Sequence, residues 1–448
     1  MGRPGIRTFA PRAVLVSSAA VLLLTCFPWG IRAMAPQARI DVACGPSSAP
    51  PVSALGAVAY LRGEDLHVVD VASGVDRTIV TDAAPPHLGY PTVVPVRWSP
   101  DGRWIAYGNG TVVPSAGGTP CEPLGRGIAS WSWSPTGNEL AGTTDTGALT
   151  VGGPEQPPRS LLPAGWGATA DPVFDPTGRF VAVARIRRGP SGLPARGSLW
   201  IVDLATGNAT ALARVHRSLP IIAGWTPDGR SILWWNDLDF SSSIAADGLQ
   251  LRMTELGGTS RWLVKPVLVH DDFFSWCGDR LVVAAGGGRD VLSGKRLFVF
   301  SPPRWFGWTS PGDRPPNWIW PACSPDGRWV AASAGVPPAA PYRYGREHRE
   351  IWLVAPHGSH RHELIAPSNS FADDLPRWSA DGRSILFVRR TLSRRPTAAL
   401  FLANVDPANG GLLSIRGPIA SLGRAARYDI GYGDYAWSEG TDWFRPAA

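Results

Sequence analysis

Lysine is nearly absent from this 448-residue chain: only Lys265 and Lys295 occur, so arginine carries almost all the positive charge of a molecule with a formal net charge of +7. Runs of arginine are therefore weak indicators of an anion site, because any solvated basic loop would be filled by the same residue. After residue 35 there is no long amphipathic helix pattern, which argues against helical bundles and doubly wound α/β folds. Cysteine is scarce, with five in all and no CxxC pair, so a thiol redox motif is not expected. HExxH, a GxSxG elbow, a P-loop and a GxGxxG following a strand are all missing. Their absence argues against the common hydrolases, but not against a site assembled from several parts of the chain.

What the chain does contain is glycine (51), proline (44) and tryptophan (21) in quantity, the composition of a protein with many turns and many aromatic strands. One sentence recurs. Trp98-Ser-Pro-Asp-Gly-Arg opens the series, followed by Trp133-Ser-Pro-Thr-Gly, Phe174-Asp-Pro-Thr-Gly-Arg, Trp225-Thr-Pro-Asp-Gly-Arg, Cys323-Ser-Pro-Asp-Gly-Arg and Trp378-Ser-Ala-Asp-Gly-Arg, with a shortened copy at Trp276-Cys-Gly-Asp-Arg. Repeats spaced by roughly 35–55 residues denote a solenoid, propeller or array. In each copy an apolar run ends at the aromatic residue, a Pro-Asp-Gly turn follows, and a second apolar run such as Trp104–Tyr107 resumes: a β-hairpin. A second hairpin follows each, as at 199–212 and 351–365, so one unit is four antiparallel strands. Such a sheet covers both its faces only by stacking against its neighbours around an axis, with the repeated Trp wedged between sheets.

The segment Ala57 to Val80 spells three strands with no inner strand before them, whereas Tyr435-Ala-Trp-Ser438 reads as an inner strand with little after it. The expected fold is all-β: an eight-bladed β-propeller, with seven blades as the alternative, closed by N- and C-terminal strands sharing one blade. The Trp-Ser-Pro-Asp-Gly-Arg core with a downstream strand such as Ile201-Val-Asp-Leu resembles the TolB-like, WD40-like (PD40-type) propeller repeat, over residues of about 57–440. The resemblance implies an extracytoplasmic binding propeller, or a propeller attached to a prolyl-peptidase-like hydrolase; the expectation here is a propeller without the hydrolase. TolB has an extra N-terminal domain and fewer blades, so its partners are not carried over.

Residues 1–35 combine Arg3, Arg7 and Arg12 with an apolar run from Ala13 to Phe27, the pattern of a signal peptide or N-terminal anchor; Cys26 as a lipidation site is the third option. All three export the propeller (57–448) behind a linker at 36–56 rich in Ala, Pro and Ser. In an oxidising compartment Cys44 and Cys121 could pair. For Cys277 and Cys323, on neighbouring inner strands, buried free thiols are the plainer expectation.

Strand order places the Ser-Pro-Asp-Gly turns on one face and the long loops on the other, where binding is expected. Acids cluster there before inner strands: Asp171, Asp272, Asp373, Asp374 and Asp434. Together they could form a ring holding Ca²⁺ or a basic peptide, although Asp is also an ordinary turn residue. Arg187, Arg188 and Arg390 belong to basic clusters on the same face that would suit carboxylate or phosphate partners, or merely be solvated. Trp305, Trp308 and Trp320 read as packing rather than sugar platforms, and the histidines of 357–362 as a surface turn. The expectation is a monomeric, non-enzymatic binding or scaffold module, without cofactor or nucleic acid, for a protein or cell-envelope polymer. The alternative is a glycan hydrolase or lyase using Asp171, Asp272 or Asp374.

Overall fold

The computed structural model describes residues 44, 45, 47, 52–84, 94–188, 194–216, 218–238, 244–287, 291, 294–309, 317–336, 347–356, 360–431 and 434–446. Their strands form an all-β propeller of eight blades. In blades 3 to 8 the first strand in the chain is the inner one. Blade 4 shows the plan, with Ala168–Phe174, Phe180–Arg188, Pro194–Asp203 and Ala209–His216 side by side in chain order. Blade 2 is the exception: Val96–Trp98, Trp104–Tyr107 and Thr111–Pro114 form three strands, and the fourth place holds a single bridge between Val112 and Cys121. A disulfide from Cys121 to Cys44 clips the chain before the propeller onto this short blade, as the sequence allowed.

The ring closes in blade 1. Ala57–Arg62, Asp65–Asp70 and Asp76–Val80 are joined on the inner side by the C-terminal strand Thr441–Phe444, with Ala57 opposite Phe444 and Tyr60 opposite Thr441. The closure is as expected, but the strand is not. Tyr435, read in the sequence as part of the closing strand, instead pairs with Asp429 in a two-stranded ribbon. The closing strand covers the inner edge that Ala57–Arg62 would otherwise leave open.

The repeated turn explains its own spelling. Ser99 Oγ donates to Asp101 Oδ1, the Arg103 amide donates to the same carboxylate, and the Trp104 amide donates to Ser99 Oγ. The same three bonds recur at Thr226, Asp228, Arg230 and Ser231, and again at Ser324, Asp326, Arg328 and Trp329. The Gly that follows has a positive φ in each, 71° at Gly102 and 69° at Gly327, which an L side chain tolerates poorly. Blade 4 exchanges the roles: Asp175 occupies the Ser position, accepts from Thr177 and receives the Phe180 amide.

The aromatic residue before each turn joins one blade to the one before it. The indole N–H of Trp98 donates to the Asp442 carbonyl, Trp133 to Arg97, Trp225 to Val173 and Trp378 to Ala322. In every case the acceptor immediately precedes the corresponding residue of the previous blade. By this register the eighth copy of the repeat is Asp442-Trp443, not Trp437. Where blade 7 has Cys323 in place of Trp, a disulfide to Cys277 of blade 6 makes the covalent equivalent, so the expectation of two free thiols is corrected. Trp305, Trp318 and Trp320 pack within this architecture, Trp305 edge-on to Trp276 and the other two fully buried; the Trp308 side chain lies outside the described residues.

Candidate functional site

The acids and arginines singled out from the sequence find one another. Asp373 lies opposite Arg389 in the pairing of Phe371–Trp378 with Ser384–Thr391, and the two make a bidentate ion pair at 2.7 and 2.8 Å. Successive strand residues point to opposite faces, so Asp374 and Arg390 turn the other way. There Asp374 takes Arg349 at 2.7 and 3.3 Å, Arg390 at 3.4 Å and the Trp437 indole N–H at 3.1 Å. Glu347 completes the group, 3.4 Å from Arg390. All four charged side chains are buried, two of each sign. Burial would raise the Asp374 carboxyl, but Arg349 and Arg390 outweigh it and hold it below the usual range. For Asp373 burial wins over Arg389, and its carboxyl is raised.

These residues were expected as exposed loop charges, and that expectation is corrected. The cause is strand length. Arg390 falls on a strand of blade 8 and Arg349 on His348–Val354 of blade 7, where alternation turns both towards Asp374, while Arg389 faces the other way over Phe371 and Phe401 of its own blade. Arg187 is likewise on a strand, paired with Arg196 rather than in a loop, though its side chain is exposed. Arg188 ends that strand and Asp171 lies on the inner strand of blade 4; both side chains are outside the described residues.

Of the remaining acids, Asp272 and Asp434 lie close enough to influence each other, and the chain itself supplies the partners of Asp272. Residues 425–431 and 434–440, between blade 8 and the closing strand, supply the Trp437 indole to Asp374 and the Ser438 hydroxyl to Asp272. Asp272, in the single turn Asp271–Phe273 before blade 6, also receives Arg377 of blade 8 from across the channel. Asp434 Oδ2 sits 3.2 Å from His270 Nε2, without the alignment of a hydrogen bond, and burial raises its carboxyl. The connector is anchored by Tyr428, whose hydroxyl donates to the Leu61 carbonyl, and by Trp437 packed against Tyr428 and Tyr435. Among the described residues no group of three or more His, Cys, Asp or Glu could hold a metal ion. His362 bonds the Gly410 carbonyl and His360 is exposed; His357 lies outside the described residues.

The open space lies elsewhere, along the inner strands. Two cavities of 570 and 450 Å³ share Arg97 and Asp271: the first is lined mainly by blades 2 to 5, the second by blades 6 to 8 and 1. The position before the repeat aromatic lines this space in seven blades. Blades 8, 1 and 2 place Arg377, Asp442 and Arg97 there, whereas blades 3, 4, 6 and 7 place Ser132, Val173, Ser275 and Ala322 at the same step of the repeat. At this one step of the repeat the charged residues fall together in blades 8, 1 and 2, and Asp271, Asp272, Glu439 and Arg445 add further charge to the lining. Arg97 binds Glu439 at 3.2 Å and the Ser438 carbonyl at 2.7 Å; burial lowers its tendency to hold a proton, and the nearby acids more than restore it. Asp442 accepts the Trp98 amide at 2.8 Å, and burial raises its carboxyl. The sequence reading missed the grouping of Arg377, Asp442 and Arg97. The signal was present in the residue before each Trp, but it becomes visible only once that position is known to face the channel.

No protein-family model matches the chain, and no curated protein matches it. Among solved structures it is similar to the dihydro-heme d1 dehydrogenase NirN in complex with DHE, at 14% identity, covering 86% of this chain and 78% of that one, with a TM-score of 0.52. It also aligns with a TolB from Agrobacterium tumefaciens (13% identity, 85% and 90% covered, TM-score 0.31). A TolB from Acinetobacter baumannii gives 16% identity, 72% and 66% covered, and a TM-score of 0.36. Likenesses at this level concern the fold: an all-β, eight-bladed propeller whose neighbours are TolB and other propeller proteins.

Proposed function

We propose that the protein is an exported, non-enzymatic binding module that takes a protein or cell-envelope ligand in its central channel. The observation that carries this reading is the pair of open cavities along the inner strands, whose lining gathers Arg97, Arg377, Arg445, Asp271, Asp272 and Asp442. A closed ring of sheets holds such side chains rigidly, which lowers the ordering cost of binding. Export is supported by the Arg-flanked apolar run at 13–27 and by the two disulfides, since such bonds persist mainly in oxidising compartments. Among the described residues no helix is long and apolar enough to cross a membrane.

A glycan hydrolase or lyase would need two carboxylates available at the reacting bond. Asp374 is saturated by Arg349, Arg390 and Trp437, and Asp272 by Arg377 and Ser438, so neither supports that reading. The test compares wild-type protein with Arg97→Glu for retention of envelope components after purification of the full chain. Retention by wild type and its loss in the variant, with the variant still folded by circular dichroism at the assay temperature, is the expected result. Glycan turnover by wild type that disappears in Asp272→Asn would overturn it, and so would a fused C-terminal reporter active only in the cytoplasm.

A further inference from the structure

The 450 Å³ cavity runs from the channel into the seam between blades 8 and 1, where the ring closes. Its deep wall is apolar, with Val58, Leu386, Val388 and Leu400. Its polar lining carries Arg377 and, just past the closing strand, Arg445, together with Arg97, Asp271, Asp272 and Asp442. The guanidinium groups of Arg377 and Arg445 stand in different circumstances. Arg377 has Asp272. Arg445 is exposed and has only the Trp378 carbonyl at 2.9 Å and the face of Trp443 at 5.7 Å; no carboxylate lies within ion-pair distance of it among the described residues. Asp442, the acid nearest in sequence, is directed at the Trp98 amide instead. An arginine with spare donors beside a second arginine and above an apolar pocket is an arrangement suited to a carboxylate with an apolar neighbour.

We propose that this seam cavity binds an acidic peptide segment of a partner protein: a carboxylate between Arg377 and Arg445, and an adjoining apolar side chain against Val58, Leu386 and Leu400. The proposal deepens the channel-binding reading and rests on it. Ser275 and Thr441, also on the wall, offer hydroxyl groups to a peptide backbone. A sugar polymer fits less well, because Trp378 and Trp443 are 3% and 8% exposed and show no ring face for stacking.

The experiment measures binding of a labelled peptide of alternating glutamate and leucine to the full chain, with a glutamine–leucine peptide and a polygalacturonate oligomer as comparisons. Wild type should bind the glutamate peptide in a salt-sensitive manner and the other two at least about tenfold more weakly. Arg445→Glu should weaken the glutamate peptide by about tenfold or more, Arg445→Ala by less, and Arg445→Lys least, since lysine keeps the charge without the fork. Thermal unfolding of Arg445→Glu should match wild type, since the replaced side chain is exposed; Arg394→Glu, at an exposed site on blade 8, should leave peptide binding intact. Equal binding by wild type and Arg445→Glu, or preference for the polygalacturonate, would overturn the proposal. If Arg97→Glu abolishes retention of envelope components while Arg445→Glu alters neither retention nor peptide binding, the channel reading stands and the seam site falls.

Discussion

At the scale of single residues, carboxylates that look alike in the sequence meet opposite fates. Asp101 serves a turn: burial pushes its carboxyl up, but Asn138, Arg103 and Ser99 outweigh burial and hold it at about 2. Glu350, buried on the third strand of blade 7, has only the Trp352 indole at 3.3 Å; burial dominates and its carboxyl rises from an ordinary 4.5 to about 7. Between those two values the unfolded chain has already lost the proton that the folded chain keeps. Stability therefore falls as pH rises from about 4.5 to about 7, and levels off above. Glu350→Gln should remove that slope and stabilise the protein at pH 7.5 by about 1–3 kcal/mol. Denaturant unfolding at several pH values checks this, and an unchanged slope in the variant would show that Glu350 ionises normally.

At the scale of elements, strand length and alternation decide what a charge does. Asp373-Asp374 and Arg389-Arg390 are each neighbours in sequence, yet each pair splits between two faces, so one ion pair stays within blade 8 and the other joins blade 7 to blade 8. Removing one partner from a buried set leaves an uncompensated charge, which typically costs about 3–5 kcal/mol. Asp374→Ala should therefore lower stability by about that amount. A combined Asp374→Ala and Arg390→Ala variant should lose less than the sum of the two single changes, because the partners are coupled. Urea unfolding of the three variants decides it. Additive losses would mean that the four buried charges do not act as a set.

For the whole molecule, the decisive element is the last strand. Trp443, 8% exposed, donates its indole N–H to the Leu55 carbonyl at 2.8 Å and lies in the main hydrophobic cluster. Trp443→Ala should cost about 3–5 kcal/mol through lost burial and a cavity, as should Trp225→Ala in the middle of the chain. Equal shifts in a single cooperative transition would show that the ring unfolds as one; a midpoint unmoved by Trp443→Ala would mean that closure adds nothing. The repeat, the hairpins and the closure between chain ends were legible in the sequence, because Pro-Asp-Gly turns and alternating aromatic runs are local signals. Eight copies could be counted there, but the eighth was assigned to Trp437 when it is Trp443, because the short closing strand Thr441–Phe444 has no turn motif after it. The disulfide between Cys277 and Cys323, the neutralisation of Asp373 and Asp374 by Arg389, Arg349 and Arg390, and the grouping of Arg377, Asp442 and Arg97 on the channel wall were decided only by the tertiary structure. Each joins residues from different strands, or shares a direction that only the ring defines. Composition and local spacing carry the strands and turns, whereas which charges remain available to a ligand depends on which others the closed ring has already paired.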